Sequence, residues 1–158
     1  MRRTRQALAS FGIASVVLLL AIANSATAPA TERGTAAPRA LAVIDGDTLE
    51  RRATGERIRL VNADTPEYGE QARCPAERRL AARATGLVRA LLADAQGVDV
   101  SETGQTDRYG RTLAHVVVDG RDLGETLIAA GLAHPWRGRR ESWCGAAGTI
   151  AARPSLQG

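Results

Sequence analysis

The chain has 158 residues, 44% of them hydrophobic and 24% charged, which suits one globular domain and excludes a disordered or collagen-like polymer. All 21 basic residues are Arg, only five residues are aromatic, and the formal charge is +4. From residue 31 onward 18 Arg face 17 acids, so net charge argues nothing about polyanion binding and only local clusters can.

Arg2, Arg3 and Arg5 precede Ala7–Ala23, a run of 17 uncharged residues, and small residues follow. This is the pattern of a signal peptide over 1–30, with candidate cleavage points after Ser25, Ala28 or Ala30. The run also has nearly the length of an uncleaved anchor, since a span takes about 20 apolar residues. Either outcome places the protein outside the cytoplasm: secreted, periplasmic or in the cell envelope. It leaves no stable membrane partner unless the anchor is kept. Residues 31–39 read as a short flexible linker, the domain as 40–136, and 137–158 as an Arg/Trp tail that carries Cys144 and a Gly- and Ala-rich end.

Residues 40–44 and 48–52 are strand-like runs on either side of Asp45-Gly46-Asp47. Ala53-Thr54-Gly55 is a turn, and 56–61 alternates polar and apolar as a half-buried strand does. Residues 62–74 read as loop. Pro75 suits the first position of a helix running to about Leu92, with Leu80, Ala84, Leu87, Val88 and Leu91 as its apolar stripe. Residues 98–100 make another strand, 103–110 a polar turn-rich stretch, and 111–118 a further strand. Asp119-Gly120 is a hairpin turn, and Gly131 stops a short helix over 123–130. The expected fold is α+β, mainly β: a small closed five-stranded barrel with two to three helices.

Three clusters concentrate acids and arginines. In Ile44-Asp45-Gly46-Asp47-Thr48 two carboxylates one residue apart project to one side if extended, or simply polarise a turn. In Arg59-Leu60-Val61-Asn62-Ala63-Asp64-Thr65-Pro66-Glu67, Pro66 holds Thr65 extended, so Asp64 and Glu67 project from a stiff corner. A capped loop with a surface salt bridge is the plain alternative. In Asp107-Arg108-Tyr109-Gly110-Arg111, Gly110 lets the backbone turn just before Arg111 at the start of a strand, with a solvated hairpin end as the plain reading.

Taken together, these segments resemble the staphylococcal nuclease (thermonuclease) family over about Val43 to Ala133, with Glu125 and Gly131-Leu132-Ala133 in step. The resemblance implies an OB-fold barrel and Ca²⁺-dependent cleavage of DNA and RNA, with Mg²⁺ or Mn²⁺ as lesser candidates. It implies Asp47, Asp64 and the Thr65 carbonyl as metal ligands, Glu67 as the group that activates the attacking water, and Arg59 and Arg111 as the grip on the scissile phosphate. Arg108 and Tyr109 fall beside them as substrate-binding residues. The implied product is a 3′-phosphate end, released by a monomeric enzyme from single-stranded or frayed nucleic acid. An inactive OB-fold binding module and an envelope ion-binding domain are the rival readings.

The chain also departs from the family. Its loop between Glu67 and the helix is shorter, Arg137 and Arg139 stand where the family's tyrosines line the nucleotide site, and the long C-terminal helix is missing. Trp136 and the Arg/Trp tail either take over the gripping of a strand or pack across the barrel. Cys74 and Cys144 are the only cysteines, and an oxidising compartment favours a bridge between them. Free thiols and a metal site with His134 are the alternatives, the latter lacking the short spacing of a zinc site. His115 and His134 belong to no catalytic pattern and read as structural or surface residues.

Overall fold

Ile58 and Leu60 sit at the centre of the sheet because their strand is hydrogen-bonded along both edges. The computed structural model describes residues 33–145. In chain order its elements are β1 (Arg33–Ala36), β2 (Leu41–Val43), β3 (Thr48–Arg51), β4 (Arg57–Leu60), β5 (Ala63–Asp64) and helix α1 (Pro75–Asp94). They continue with β6 (Val98–Thr106), β7 (Thr112–Val118), β8 (Arg121–Asp122), helix α2 (Leu123–Ala129) and β9 (His134–Pro135). Short 3-10 turns occupy Pro38–Ala40 and Gly69–Gln71.

The main sheet runs β1-β6-β7-β4-β3-β2, with β8 paired to β7, and β5 pairs separately with β9. All its ladders are antiparallel except β4 with β7, where Ile58, Arg59 and Leu60 face Thr112, Leu113 and Ala114 in parallel. A parallel pair needs a long crossover, and α1 with β6 supplies it. The architecture is the α+β, mainly β, OB-like one, with β2, β3, β4, β7 and β6 as its five barrel strands.

Three details differ from the sequence expectation. The stretch 31–39 is not wholly linker: Arg33–Ala36 forms β1, antiparallel to β6 with Gly34 opposite Val100. The barrel is a curled half-barrel and is not closed by hydrogen bonds. Among the described residues no ladder joins β2 to β6, because β1 already holds that edge and the turn at Pro38 separates the two strands. Finally, β6 continues through Thr106 where a turn-rich stretch was expected. Its outer half is polar because it is solvent-facing, and its register shifts between Glu102 and Thr106. There Gly104 takes a φ of 73° and Thr103 Oγ1 donates to the Leu113 carbonyl (3.0 Å).

The core fills the space between the curled sheet and α1, with Leu49, Ile58, Leu60, Val100 and Val116 meeting Leu80, Ala84 and Val88. Burying side chains of this kind contributes about 1.5–3 kcal/mol each relative to exposure. The Asp119-Gly120 turn holds both residues at positive φ (47° and 79°), as a two-residue hairpin between β7 and β8 requires. The Asp119 side chain then accepts from the Gln96 and Gly97 amides, both at 2.9 Å, which fastens the end of α1 to the hairpin. The 1–30 segment lies outside the described residues, among which no helix is long and apolar enough to cross a membrane.

Asp122 caps α2: its carboxylate accepts from the Glu125 amide (2.9 Å) and from Asn62 Nδ2 (2.9 Å). Burial pushes its pKa up, but the bonds from Asn62 and Glu125 outweigh burial and leave it below the ordinary carboxylate value. Asp122→Ala is expected to lower unfolding free energy by about 1–2 kcal/mol in urea titrations at pH 7. Because the folded-state pKa is depressed, the difference from wild type is complete above the unfolded pKa of about 4 and closes as pH falls through the folded value.

Candidate active site

The site starts from a glycine. A Cβ on Gly46 would lie 2.8 Å from the Ala84 Cβ and 2.9 Å from the Thr65 Cγ2, so only glycine lets the 44–47 loop press against both α1 and Thr65. That approach positions Asp47. Its carbonyl accepts from the Leu60 amide (2.9 Å) and its Oδ2 from the Thr65 amide (2.8 Å). Thr65 and Asp64 follow from β5, whose pairing with β9 sets Asp64 opposite His134. Asp47, Asp64 and Thr65 expose 4%, 2% and 3% of their surfaces, so both carboxylates are removed from water.

Buried carboxylates need a counter-charge, and Arg59 supplies it. It lies on β4, one residue from Ile58 and Leu60 and on the opposite face, yet it is itself buried. Its Nη1 meets Asp47 Oδ1, its Nη2 donates to Asp64 Oδ1 (2.9 Å), and its guanidinium sits 5.7 Å from the centre of the Trp136 ring. Burial pushes Asp47 up, but Arg59 and the Thr65 amide outweigh it and hold the carboxyl below its ordinary range. At Asp64 burial wins over Arg140 and Arg59, and the pKa is raised. Asp45 is raised by burial and by the neighbouring charge of Asp47. Arg59 loses solvation on burial, but its two aspartates more than restore its preference for charge.

Arg111 enters from the start of β7. Asp107 accepts from the Tyr109 and Arg111 amides (2.8 and 3.0 Å) and from Arg111 Nε and Nη2 (2.8 and 2.6 Å). These bonds hold Asp107 below its ordinary pKa against the opposing effect of its partial burial. The charged hairpin end is therefore an ordered loop that fixes one arginine. Arg111 Nη1 donates to Thr48 Oγ1 (3.1 Å), and Thr48 donates to Asp47 Oδ1 (3.2 Å), which couples the two sides of the site. Arg108 donates to the Tyr109 hydroxyl (2.7 Å) and lies over its ring, and Tyr109 remains 67% exposed, free to meet a ligand.

A polar cavity of about 500 Å³ is lined by Asp47, Thr65, Glu67, Arg108, Tyr109 and Arg111, so the structure brings six of the eight sequence-expected site residues around one space. Arg59 instead lines an adjoining cavity of about 520 Å³ with Trp136 and Arg139, and Asp64 lies beneath it. Glu67 stands on the cavity rim, its amide bonded to the buried Glu77 of α1 (3.3 Å) and its carboxylate to Arg140. Spacing and composition pointed to neither Glu77 nor Arg140. Glu77 looks like any acid in a first helical turn, and Arg140 is one of three arginines in an exposed stretch. Cys74 and Cys144 are joined, with Cα atoms 6.1 Å apart. Their sulfurs and a Glu77 oxygen lie within 4.8 Å of one another, but bridged sulfurs are no metal ligands.

The carboxylates of Asp47, Asp64 and Glu67 and the Thr65 carbonyl provide oxygen donors only, which fits a hard divalent cation that keeps several waters. A family model described as staphylococcal nuclease homologue matches residues 57–144, more than half of the chain. The chain belongs to the staphylococcal nuclease family. The match begins at Arg57, after Asp47, and ends on Cys144, so it takes in the tail only as far as the cysteine. Among curated proteins of Bacillus subtilis (strain 168), endonuclease YncB is 34% identical over 94 residues, covering 57% of this chain and 43% of YncB. The SPbeta prophage-derived endonuclease YokF is 33% identical over 94 residues, covering 57% of this chain and 31% of YokF. The chain thus spans less than half the length of either relative. In this family member both buried carboxylates share one guanidinium. Arg59→Met is accordingly expected to destabilise the fold by about 3–5 kcal/mol, read as a shift in the urea midpoint, because it strands two buried charges. Arg59→Lys, which keeps the charge but not the fork, should cost less.

Proposed function

We propose that this chain is an exported, metal-dependent nuclease that hydrolyses the 5′-O–P bond of DNA or RNA and leaves 3′-phosphate ends. The observation that carries the reading is one cavity of about 500 Å³ whose lining includes the acids Asp47 and Glu67 together with Arg111, with Thr48 bonded to both Arg111 and Asp47. The endonuclease names of the relatives and the family membership support the same class. Asp47, Asp64 and the Thr65 carbonyl would hold the cation, with Ca²⁺ proposed ahead of Mg²⁺ or Mn²⁺. When bound, the metal supplies Lewis-acid polarisation of the phosphate and a site for the nucleophilic water.

The chain's own residues do the rest. Glu67 accepts the proton of the attacking water at its carboxylate. Arg111, with its guanidinium plane held by Asp107, meets the non-bridging oxygens as negative charge builds on them. Arg59, expected from the resemblance to grip the phosphate with Arg111, is instead buried with Nη1 on Asp47 and Nη2 on Asp64, and its role is to hold those two carboxylates in place. Tyr109 offers an exposed ring on which a base stacks, and Arg108 a neighbouring phosphate contact. An open cleft of this kind reaches a splayed backbone more readily than a paired one, so single-stranded or frayed substrate is favoured. Export rests on the basic, apolar and small-residue order of 1–30, as signal or anchor, and the protein acts as a monomer.

Plasmid, single-stranded DNA and RNA digested with the purified protein in Ca²⁺, Mg²⁺, Mn²⁺ and chelator test the reading. Cleavage is expected with Ca²⁺ and none in excess chelator. Asp47→Ala and Asp64→Ala should abolish most of it, and activity that survives chelation would remove the metal role. Arg111→Lys is expected to lose about 10²–10³ in rate, since a point charge cannot reproduce the fork. Glu67→Gln should lose about 10²–10⁴ in turnover with oligonucleotide affinity nearly intact. Tight binding without cleavage under every condition would make the chain a binding module instead.

A further inference from the structure

Glu67 is held from two directions. Its backbone amide donates to Glu77 Oε1 (3.3 Å), and Glu77 Oε2 also takes the Arg73 amide (2.7 Å), so the 67–73 loop hangs on one buried acid at the start of α1. Its carboxylate meets Arg140 Nη1, and Arg140 Nε lies 3.8 Å from Asp64 Oδ1. Arg140 also lines both cavities, together with Arg108, Tyr109 and Arg111.

The tail reaches the cavities under constraint. It leaves β9 with the Trp136 amide on the Asn62 carbonyl (2.9 Å) and runs exposed through Arg140. It then returns to the body at Trp143, which is buried and stacked on His134 with ring centroids 3.9 Å apart. The next residue, Cys144, is bonded to Cys74, which sits immediately before Pro75 and beside Glu77. An exposed ion pair alone is too weak to order a free tail. With the chain fixed at both ends of a short excursion, most of the ordering entropy is already removed.

We propose that Arg140 is a positioning residue of the active site: delivered by the disulfide-tethered tail, it fixes the direction of the Glu67 carboxylate. The proposal rests on the nuclease reading for its effect on rate, and not for its effect on the loop. Arg140 touches neither water nor phosphate in this role; it limits where Glu67 points. Reduction of Cys74–Cys144 removes the covalent anchor beyond Trp143 and loosens the hold of Arg140 on Glu67, while the sheet and α1 stay folded.

The experiment compares wild type, Arg140→Ala, Arg140→Lys, Glu67→Gln and Arg140→Ala/Glu67→Gln, each oxidised and reduced, by single-strand cleavage kinetics and by hydrogen exchange of peptides spanning 64–73. Arg140→Ala is expected to lower kcat at least 10-fold with KM within about 3-fold, and Arg140→Lys to recover much of the loss. Adding Arg140→Ala to Glu67→Gln should change kcat less than 2-fold, since the first acts through the second. Reduction should lower wild-type kcat toward the level of Arg140→Ala and leave that variant unchanged. In both cases exchange should quicken in 64–73 and not in the β7 or α1 peptides. A rise in KM at constant kcat, additive losses in the double variant, or unaltered exchange of 64–73 in Arg140→Ala overturns the proposal. Absence of cleavage by oxidised wild type overturns the nuclease reading instead, and the exchange data still judge the placement of Arg140.

Discussion

The pairing of Arg59 with Asp47 and Asp64 is the constraint around which this molecule is arranged. Two carboxylates that expose only a few percent of their surface would be prohibitive without a cation between them, and the guanidinium lies within bonding reach of both. The consequence is geometric. The loop before β3, the middle of β4 and the strand β5 must meet at one point, because each contributes one member of the triad. Gly46, the Leu60 amide and the Thr65 amide are the local devices that let them meet.

That constraint also sets the composition of the cleft, whose lining combines the carboxylates of Asp45, Asp47 and Glu67 with the guanidinium groups of Arg57, Arg108, Arg111 and Arg140. Asp107 and Thr48 lock Arg111 into this arrangement, and the Thr48 hydroxyl joins it to Asp47. A shift of any one of these groups is transmitted to the others through bonds of about 3 Å, which is why the site is best regarded as a single charged network.

The disulfide does for the tail what the hydrophobic core does for the sheet. A core this short of aromatic residues has little surface to spare for holding a C-terminal segment, and here Trp143 is the sole aromatic side chain buried among the described residues. Closing a loop of 70 residues is worth about 4 kcal/mol in the chain-entropy model, enough to keep an otherwise polar segment on the body. The price of the polar tail is thus met covalently, and its arginines remain at the cleft.

Much of this was legible in the amino-acid order. Local signals are written in neighbouring residues: the two-residue turn at Asp119-Gly120, Pro75 opening α1, Gly131 ending α2, and the motif residues Asp47, Asp64, Glu67 and Arg111 with their rigid spacing. The count of two cysteines pointed to Cys74 with Cys144, which the structure joins. What could not be read there depended on contacts between distant segments. That Arg33–Ala36 would be a strand follows from the free edge of β6, not from its own polar sequence. That Arg59, on the polar face of its strand, would be buried follows from Asp47, Asp64 and Trp136 converging on it. Arg140 differs from Arg137 and Arg139 in nothing but where the tethered tail carries it. The sequence determined which residues carry carboxylate oxygens and guanidinium groups, because that is a property of each side chain; only the tertiary structure decided which charges pair with which, because electrostatic partners are set by distance through space.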